Sequence, residues 1–188
     1  MVVSAADPGS LPRLVEVLRK GGVAIAPCDT MYGLVGIAPD TERRIRGIKG
    51  RGEEKPFLQL LSDLSWVAQF SDLAVPARLA KYWPGPLTLV FPARQGGTVA
   101  FRVPDSTFLR NLLGALGRPL FSTSANRAGT LPLNRIVDIG REFEKVVDLI
   151  FDAGDLPAGL PSTIVDVSSR PYKVLRAGAL AVRPEDLA

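Results

Sequence analysis

The sequence predicts a single α/β domain built on a mixed sheet. Three observations carry that prediction. Runs with a helical period alternate along the chain with short apolar runs of strand character. Two of those runs, Leu87 to Phe91 and Thr98 to Val103, are joined by Arg94-Gln95-Gly96-Gly97, which reads as a hairpin. A strictly parallel, doubly wound sheet has no place for one. The 188 residues are 46% hydrophobic and 22% charged, an ordinary globular composition with ample material for a core. No internal repeat or low-complexity linker breaks the chain, so one domain over residues 1–188 is expected, with a core spanning about 10–182.

The elements follow in order. Ser10 can cap a first helix with apolar positions Leu11, Leu14, Val15 and Leu18, closed by Arg19-Lys20-Gly21-Gly22. Val23 to Ala26 is a short buried strand stopped by Pro27. Pro27 to Leu34 is a polar-aromatic insert, expected as a turn around a buried tyrosine. Asp40 and Thr41 can cap a second helix carrying Arg43, Arg44, Ile45 and Ile48. Phe57 to Leu61 reads as a strand, and Ser62 or Asp63 can cap the helix after it. Val75 to Trp83 is an amphipathic helix cut off by Pro84-Gly85-Pro86. The hairpin comes next, then a helix from Ser106 to Leu116 that stops at Gly117. Pro119-Leu120-Phe121 is a buried strand that opens into polar residues. A helix over Asn134 to Phe143, a strand over Val146 to Phe151 and a Gly/Pro loop over Asp152 to Pro161 follow. Thr163 to Val167 and Tyr172 to Arg176 are the closing strands.

Composition narrows the chemistry. One cysteine, Cys28, excludes an internal disulfide and a Cys-only metal site. Histidine is absent, which excludes a Ser-His-Asp triad, His-based zinc and an imidazole acid or base. Catalysis must then rest on Lys, Arg, Asp, Glu, hydroxyls, backbone dipoles or an oxygen-bound metal. The net charge of +4 tolerates an anionic substrate or RNA and requires neither. The first ten residues lack a basic start and an apolar core, and nothing approaches the length of a membrane span. A cytoplasmic location is expected.

Two stretches carry the functional signal. In Phe121-Ser122-Thr123-Ser124-Ala125-Asn126, alternation along an extended chain puts Ser122, Ser124 and Asn126 on one face. Two hydroxyls and an amide, with no charge, suit a polyanion neutralised from elsewhere; the same residues also serve as an ordinary polar turn. From Arg43 to Lys55 there are six cations against Glu53 and Glu54. Within it, Lys49-Gly50-Arg51 offers a point charge and a planar fork for phosphates, on glycines that allow close backbone approach. A solvated basic loop is the plainer reading of that cluster. Arg102 interrupts an apolar run, so it is paired, ligand-facing or on an edge.

Five stretches, in this order, resemble the YrdC-like family of threonylcarbamoyl-AMP synthases. They are Pro27-Cys28-Asp29-Thr30-Met31-Tyr32-Gly33-Leu34, Lys49-x-Arg51 with Lys55-Pro56, Trp83-Pro84-Gly85-Pro86-Leu87-Thr88, Ser122-Thr123-Ser124-Ala125-Asn126 and Ser162-Thr163-Ile164-Val165-Asp166. The resemblance runs from about Leu14 to Leu180. It implies a twisted, open α/β sheet with a concave basic face, in a short form without an additional C-terminal domain. It implies the reaction of L-threonine, bicarbonate and ATP to threonylcarbamoyl-AMP and pyrophosphate, which feeds t6A modification of tRNA. It also implies Lys49, Arg51, Ser124 and Asn126 as a catalytic tetrad around the phosphates. Lys55, Thr98 and Arg176 match further ATP contacts. Thr30, Arg102, Ser122 and Ser162 match positions that hold threonine, with Tyr32 in the same wall and Arg102 on the carboxylate. Mg²⁺ is expected on phosphates and water; the resemblance implies a downstream tRNA threonylcarbamoyl transferase complex as partner and leaves contact with tRNA or double-stranded RNA open.

The chain departs from the family pattern at Cys28, where Thr is usual, at Leu60 and Ser106, where His is frequent, and at Gly52, where Pro follows the arginine. The competing readings are an RNA-binding or ribosome-maturation module on the same basic face, and a sibling enzyme that carbamoylates another amine.

Overall fold

The computed structural model describes residues 1–29, 31–50, 52 and 56–188. In chain order the elements are β1 (Val2–Ser4), α1 (Ser10–Arg19), β2 (Ala24–Cys28), β3 (Met31–Ile37), α2 (Glu42–Lys49), β4 (Leu58–Leu60), α3 (Ala77–Ala80), β5 (Leu87–Pro92), β6 (Thr98–Arg102), α4 (Thr107–Leu116), β7 (Leu120–Ser124), α5 (Ile136–Phe143), β8 (Leu149–Asp152), β9 (Thr163–Asp166) and β10 (Lys173–Arg176). Short 3₁₀ turns occupy Leu64–Gln69 and Pro184–Asp186. The strands form one sheet in the order β1-β8-β2-β3-β7-β4-β6-β5-β9-β10. It is mixed and open, as expected: β1, β2 and β8 run parallel, as do β4 with β6 and β5 with β9, whereas β2-β3-β7-β4, β5-β6 and β9-β10 are antiparallel pairings.

Several local expectations hold for the physical reason given. Ser106 caps α4 by accepting from the Leu109 amide, and Gly117 ends it at φ 65. Asp63 caps the turn after β4 by accepting from the Ser65 amide at 2.8 Å. The hairpin β5-β6 pairs Leu89 with Phe101 and Pro92 with Thr98.

Others fail instructively. Ser10 is not a cap; its hydroxyl donates to the Ser4 carbonyl at 2.6 Å and docks α1 onto β1, a strand the sequence reading did not foresee. Neither Asp40 nor Thr41 caps α2, and the Thr41 hydroxyl donates to the Ile37 carbonyl instead. The helix expected over Val75 to Trp83 shrinks to one turn, because the chain turns so that Trp83 is buried and donates its ring N–H to the Leu87 carbonyl at 2.6 Å. β8 starts later than expected, since the amides of Val146 and Val147 still bond back to the Phe143 carbonyl. Pro27 does not stop β2. Its pairing with β8 covers only Ala24 and Ile25, so no ladder bond is lost on that side at the proline. The insert expected as a turn is a tight hairpin. Cys28 pairs with Met31, Asp29 sits at the tip with φ 50, and all seven residues of β3 are buried.

Alternation along the central strands separates two faces. On one, Val35, Leu60 and Leu120 pack under α1 and α4. On the other, Leu34 and Phe121 pack with Ile45, Ile139 and Phe143 of α2 and α5, and the β5-β6-β9 half closes around Trp83, Phe91 and Phe101. The helices α1 and α4 cover only part of the first face. Beyond them, the same face lines a cavity.

Candidate active site

On that stretch the register aligns Ser122, Leu58, Ala100 and Val90 in one row across β7, β4, β6 and β5. Ser122 and Ala100 in that row, with Gly33, Thr88 and Thr98 around it, leave a cavity of about 490 Å³ where bulkier side chains would have made core. That volume lies within the ~300–1,000 Å³ common for small-molecule sites. Gly33 forms part of the floor. A Cβ at that position would stand 2.9 Å from Cys28 Sγ and 3.3 Å from Ser122 Oγ, so the close packing of β2, β3 and β7 needs a glycine.

Two guanidiniums face this cavity. Arg102 ends β6 and is only 5% exposed. Its Nε donates to the Gly85 carbonyl at 3.0 Å, and its Nη2 donates to Asp29 Oδ2. The Trp83-Pro84-Gly85-Pro86 turn is thus what presents an acceptor to the arginine. Gly85 is itself required, because a Cβ there would meet the Tyr82 carbonyl at 2.6 Å. Arg176, at the end of β10, donates through Nη2 to the Ser162 carbonyl at 2.8 Å and to Ser162 Oγ at 3.2 Å. Ser162 Oγ also shares a 2.8 Å bond with the buried Thr88 hydroxyl. Burial pulls the Arg176 pKa down, and the nearby Arg102 charge adds to the shift. An anion lodged between the two would relieve that repulsion.

The Lys49 and Ser-x-Asn stretches meet beside the cavity. Lys49, at the end of α2, is 4% exposed. Its Nζ donates to the Ser124 carbonyl at 2.7 Å, the Asn126 carbonyl at 3.0 Å and Asn126 Oδ1 at 2.8 Å. Ser124 Oγ donates to the same Oδ1 at 2.6 Å. The backbone locks this junction: the Ala128 amide bonds to the Lys49 carbonyl at 2.8 Å, and Arg127 Nη1 donates to the Ile48 carbonyl. Two carbonyls at the C-terminus of α2 are satisfied in this way.

Of the residues expected from the sequence, Tyr32, Thr98, Arg102, Ser122, Ser124, Ser162 and Arg176 line the one cavity. Lys49 and Asn126 stand behind its wall and act on it through Ser124. Thr30, Arg51 and Lys55 lie outside the described residues. The Tyr32 hydroxyl is committed elsewhere, donating to the Gly154 carbonyl at 2.8 Å and accepting from the Ala153 amide at 2.9 Å, so the ring alone serves the wall. Burial pushes the Cys28 thiol up to about 11, which makes it a neutral, space-filling group. Sequence reasoning missed Asp29 and Thr88, although both lie in quoted stretches. It also missed Gly178, where a Cβ would overlap the Pro161 carbonyl and push Ser162 out of place. A carboxylate next to Thr30 in sequence and the hydroxyl that closes the quoted Trp83 to Thr88 stretch were the available signal.

With this geometry in place, comparison with known proteins is informative. A Sua5/YciO/YrdC family model, described as telomere recombination, matches residues 16–178. The chain belongs to the Sua5/YciO/YrdC family. A threonylcarbamoyl-AMP synthase of Chromohalobacter salexigens is 34% identical over 171 residues, covering 82% of this chain and 91% of that protein. A threonylcarbamoyl-AMP synthase of Pyrococcus abyssi is 32% identical over 183 residues, covering 87% of this chain and 52% of that protein. The chain therefore spans about half the length of some of the curated relatives it matches. The crystal structure of P. abyssi Sua5 complexed with L-threonine superposes with a TM-score of 0.86 at 26% identity, over 96% of this chain and 58% of that one. No helix among the described residues is long and apolar enough to cross a membrane.

Proposed function

We propose that this family member joins L-threonine, bicarbonate and ATP into L-threonylcarbamoyl-AMP and pyrophosphate, the activated group for t6A modification of tRNA. The observation that carries the reading is the pairing of two guanidiniums, Arg102 and Arg176, with an uncharged ledge of Ser122, Ser124, Ser162 and Thr88 in one cavity. That set can hold an amino-acid carboxylate at Arg102 and a polyphosphate along the hydroxyls toward Arg176. The synthase relatives and the threonine-bound neighbour support it.

The chemistry asks little of the side chains beyond placement. Bicarbonate gives up water to yield carbon dioxide, the neutral amine of threonine adds to it and releases a proton to solvent, and the resulting carbamate oxygen attacks the α-phosphorus as pyrophosphate leaves. Holding two anions in line removes on the order of 7–11 kcal/mol of barrier. Cations placed where charge builds on the phosphates supply the remaining stabilisation. Arg176, Arg51 and Lys55 take that role, and Lys49 with Asn126 fixes Ser124 for it. Among the described residues no three carboxylates, histidines or cysteines gather as a metal site. A donor set of hydroxyls fits a Mg²⁺ ion that keeps its bonds to phosphate and water; Ser122 and Ser124 would hold that hydrated ion. When bound, that ion would neutralise charge on the departing pyrophosphate.

Downstream, the product would pass to a threonylcarbamoyl-transferring complex acting on tRNA. Mass spectrometry of the product from ATP, bicarbonate and threonine tests the reading, together with pyrophosphate release across the amino acids. Threonylcarbamoyl-AMP with threonine the preferred amine is the expected result. Preference for another amine would make this chain a sibling carbamoylating enzyme. Binding of RNA that falls steeply with salt, without pyrophosphate release, would make it an RNA module.

A further inference from the structure

Asp29 is the residue whose place in the fold the proposed chemistry leaves unexplained. It sits at the tip of the β2-β3 hairpin in the left-handed region, at φ 50. In the sheet, β7 and β4 lie between that hairpin and β6. The Asp29 side chain nevertheless reaches over both to Arg102 on β6, and its Oδ2 also accepts from the Asp105 amide at 3.2 Å. Both members of the ion pair are largely withdrawn from solvent, with side chains 6% and 11% exposed. Arg102 is thus held through Nε by Gly85 and through Nη2 by Asp29, and it lines the cavity.

We infer that Asp29 is a specificity-determining residue that makes the amino-acid side of the cavity a reader of zwitterions. This inference rests on the amino-acid reading proposed above. A lone buried guanidinium attracts any anion, and in a cavity shared with phosphates, inorganic phosphate and pyrophosphate are the obvious intruders. With Asp29 beside it, the Arg102 guanidinium is offset by a carboxylate at its own end of the cavity. An amino acid presents the complementary pair, a carboxylate for Arg102 and an ammonium one carbon away for Asp29. A phosphate meets the same carboxylate as a repulsion. The polyanion is left to the Arg176 end, where no carboxylate among the described residues bonds the guanidinium.

The test uses the full chain without nucleotide, with L-threonine and inorganic phosphate as probes. Asparagine tolerates the left-handed conformation well, so Asp29→Asn removes the charge and keeps the turn. Calorimetry should show threonine binding weakened by roughly tenfold or more in Asp29→Asn, as expected for losing a bond to a charged group. Phosphate should compete with the residual threonine binding in Asp29→Asn. It should fail to compete in the wild type at matched ionic strength, a measurement that stands even where the variant does not fold. Asp29→Glu, which restores the charge, should exclude phosphate again. Equal threonine affinity in wild type and Asp29→Asn overturns the inference alone. Loss of threonine binding without any gain of phosphate competition reduces Asp29 to a structural prop and also overturns it. A wild-type chain that takes no threonine at all overturns the amino-acid reading, and this inference with it.

Discussion

At Gly33 and Lys49 the physical constraints are strongest and the experimental consequences most direct. Gly33 has no space for a methyl group between Cys28 Sγ, the Thr123 carbonyl at 3.2 Å and Ser122 Oγ. Gly33→Ala should therefore push Ser122 off its place in the cavity. The expected outcome is a fold that survives with about 1–3 kcal/mol less stability by urea unfolding, and a loss of threonine-dependent pyrophosphate release well beyond that. Lys49 carries a different lesson. The sequence suggests a cation that touches phosphate, so an alanine there would be expected to abolish the proposed ATP turnover without harming the fold. In the structure its ammonium is buried against three oxygens of Ser124 and Asn126. Removing it strands acceptors that water reaches poorly, so Lys49→Met should lose about 1–3 kcal/mol of stability as well as activity. Urea midpoints and pyrophosphate release measured on the same preparation check both halves of that expectation.

At the scale of elements, the site is made where strands end. β2, β6, β7 and β10 each contribute their last residues, and β9 is preceded by Ser162. Turn residues between them are therefore structural parts of the cavity, as Gly85 shows for Arg102. The C-terminal 3₁₀ turn, Pro184–Asp186, is held by a comparable device. The Lys81 ammonium, with the Tyr82 hydroxyl and the Arg183 guanidinium, lowers the Asp186 carboxyl to about 2. A depressed acid stabilises the fold when ionised. Its contribution is present above the unfolded-state value of about 3.9 and fades as pH falls toward about 2. Denaturation midpoints of wild type and Asp186→Asn should thus converge as pH drops from 5 to 2, and a gap that stays constant would contradict the assignment.

The whole molecule is a ten-stranded sheet, among the described residues, with α2 and α5 on one face, α1 and α4 on part of the other, and a cavity on the remainder of that second face. Because that cavity draws on strands far apart in sequence, a ligand filling it cross-links the fold. Threonine at a hundredfold excess over its Kd should add about 2.7 kcal/mol, or roughly 5–10 °C of melting temperature for a chain of this size. Threonine with ATP should add more than either alone. A thermal shift series over the amino acids reads both stability and selectivity in one measurement.

Local chemistry made much of this legible in advance. The alternation of elements, the β5-β6 hairpin, the α4 cap at Ser106 and stop at Gly117, and the polar ledge after Phe121 all follow from neighbours within a few residues. What stayed hidden depends on partners far along the chain. β3 was hidden because its glycines look like a turn until α2 and β7 are seen to need the space. α1 starts at Ser10 without a side-chain cap because Ser4, on β1, takes the hydroxyl. Arg102 could be marked as paired, ligand-facing or at an edge, but its choice of Asp29 across two intervening strands is a fact of sheet order. Side-chain type and spacing named the ingredients of the site; only the packing of distant strands could say which charge sits beside which.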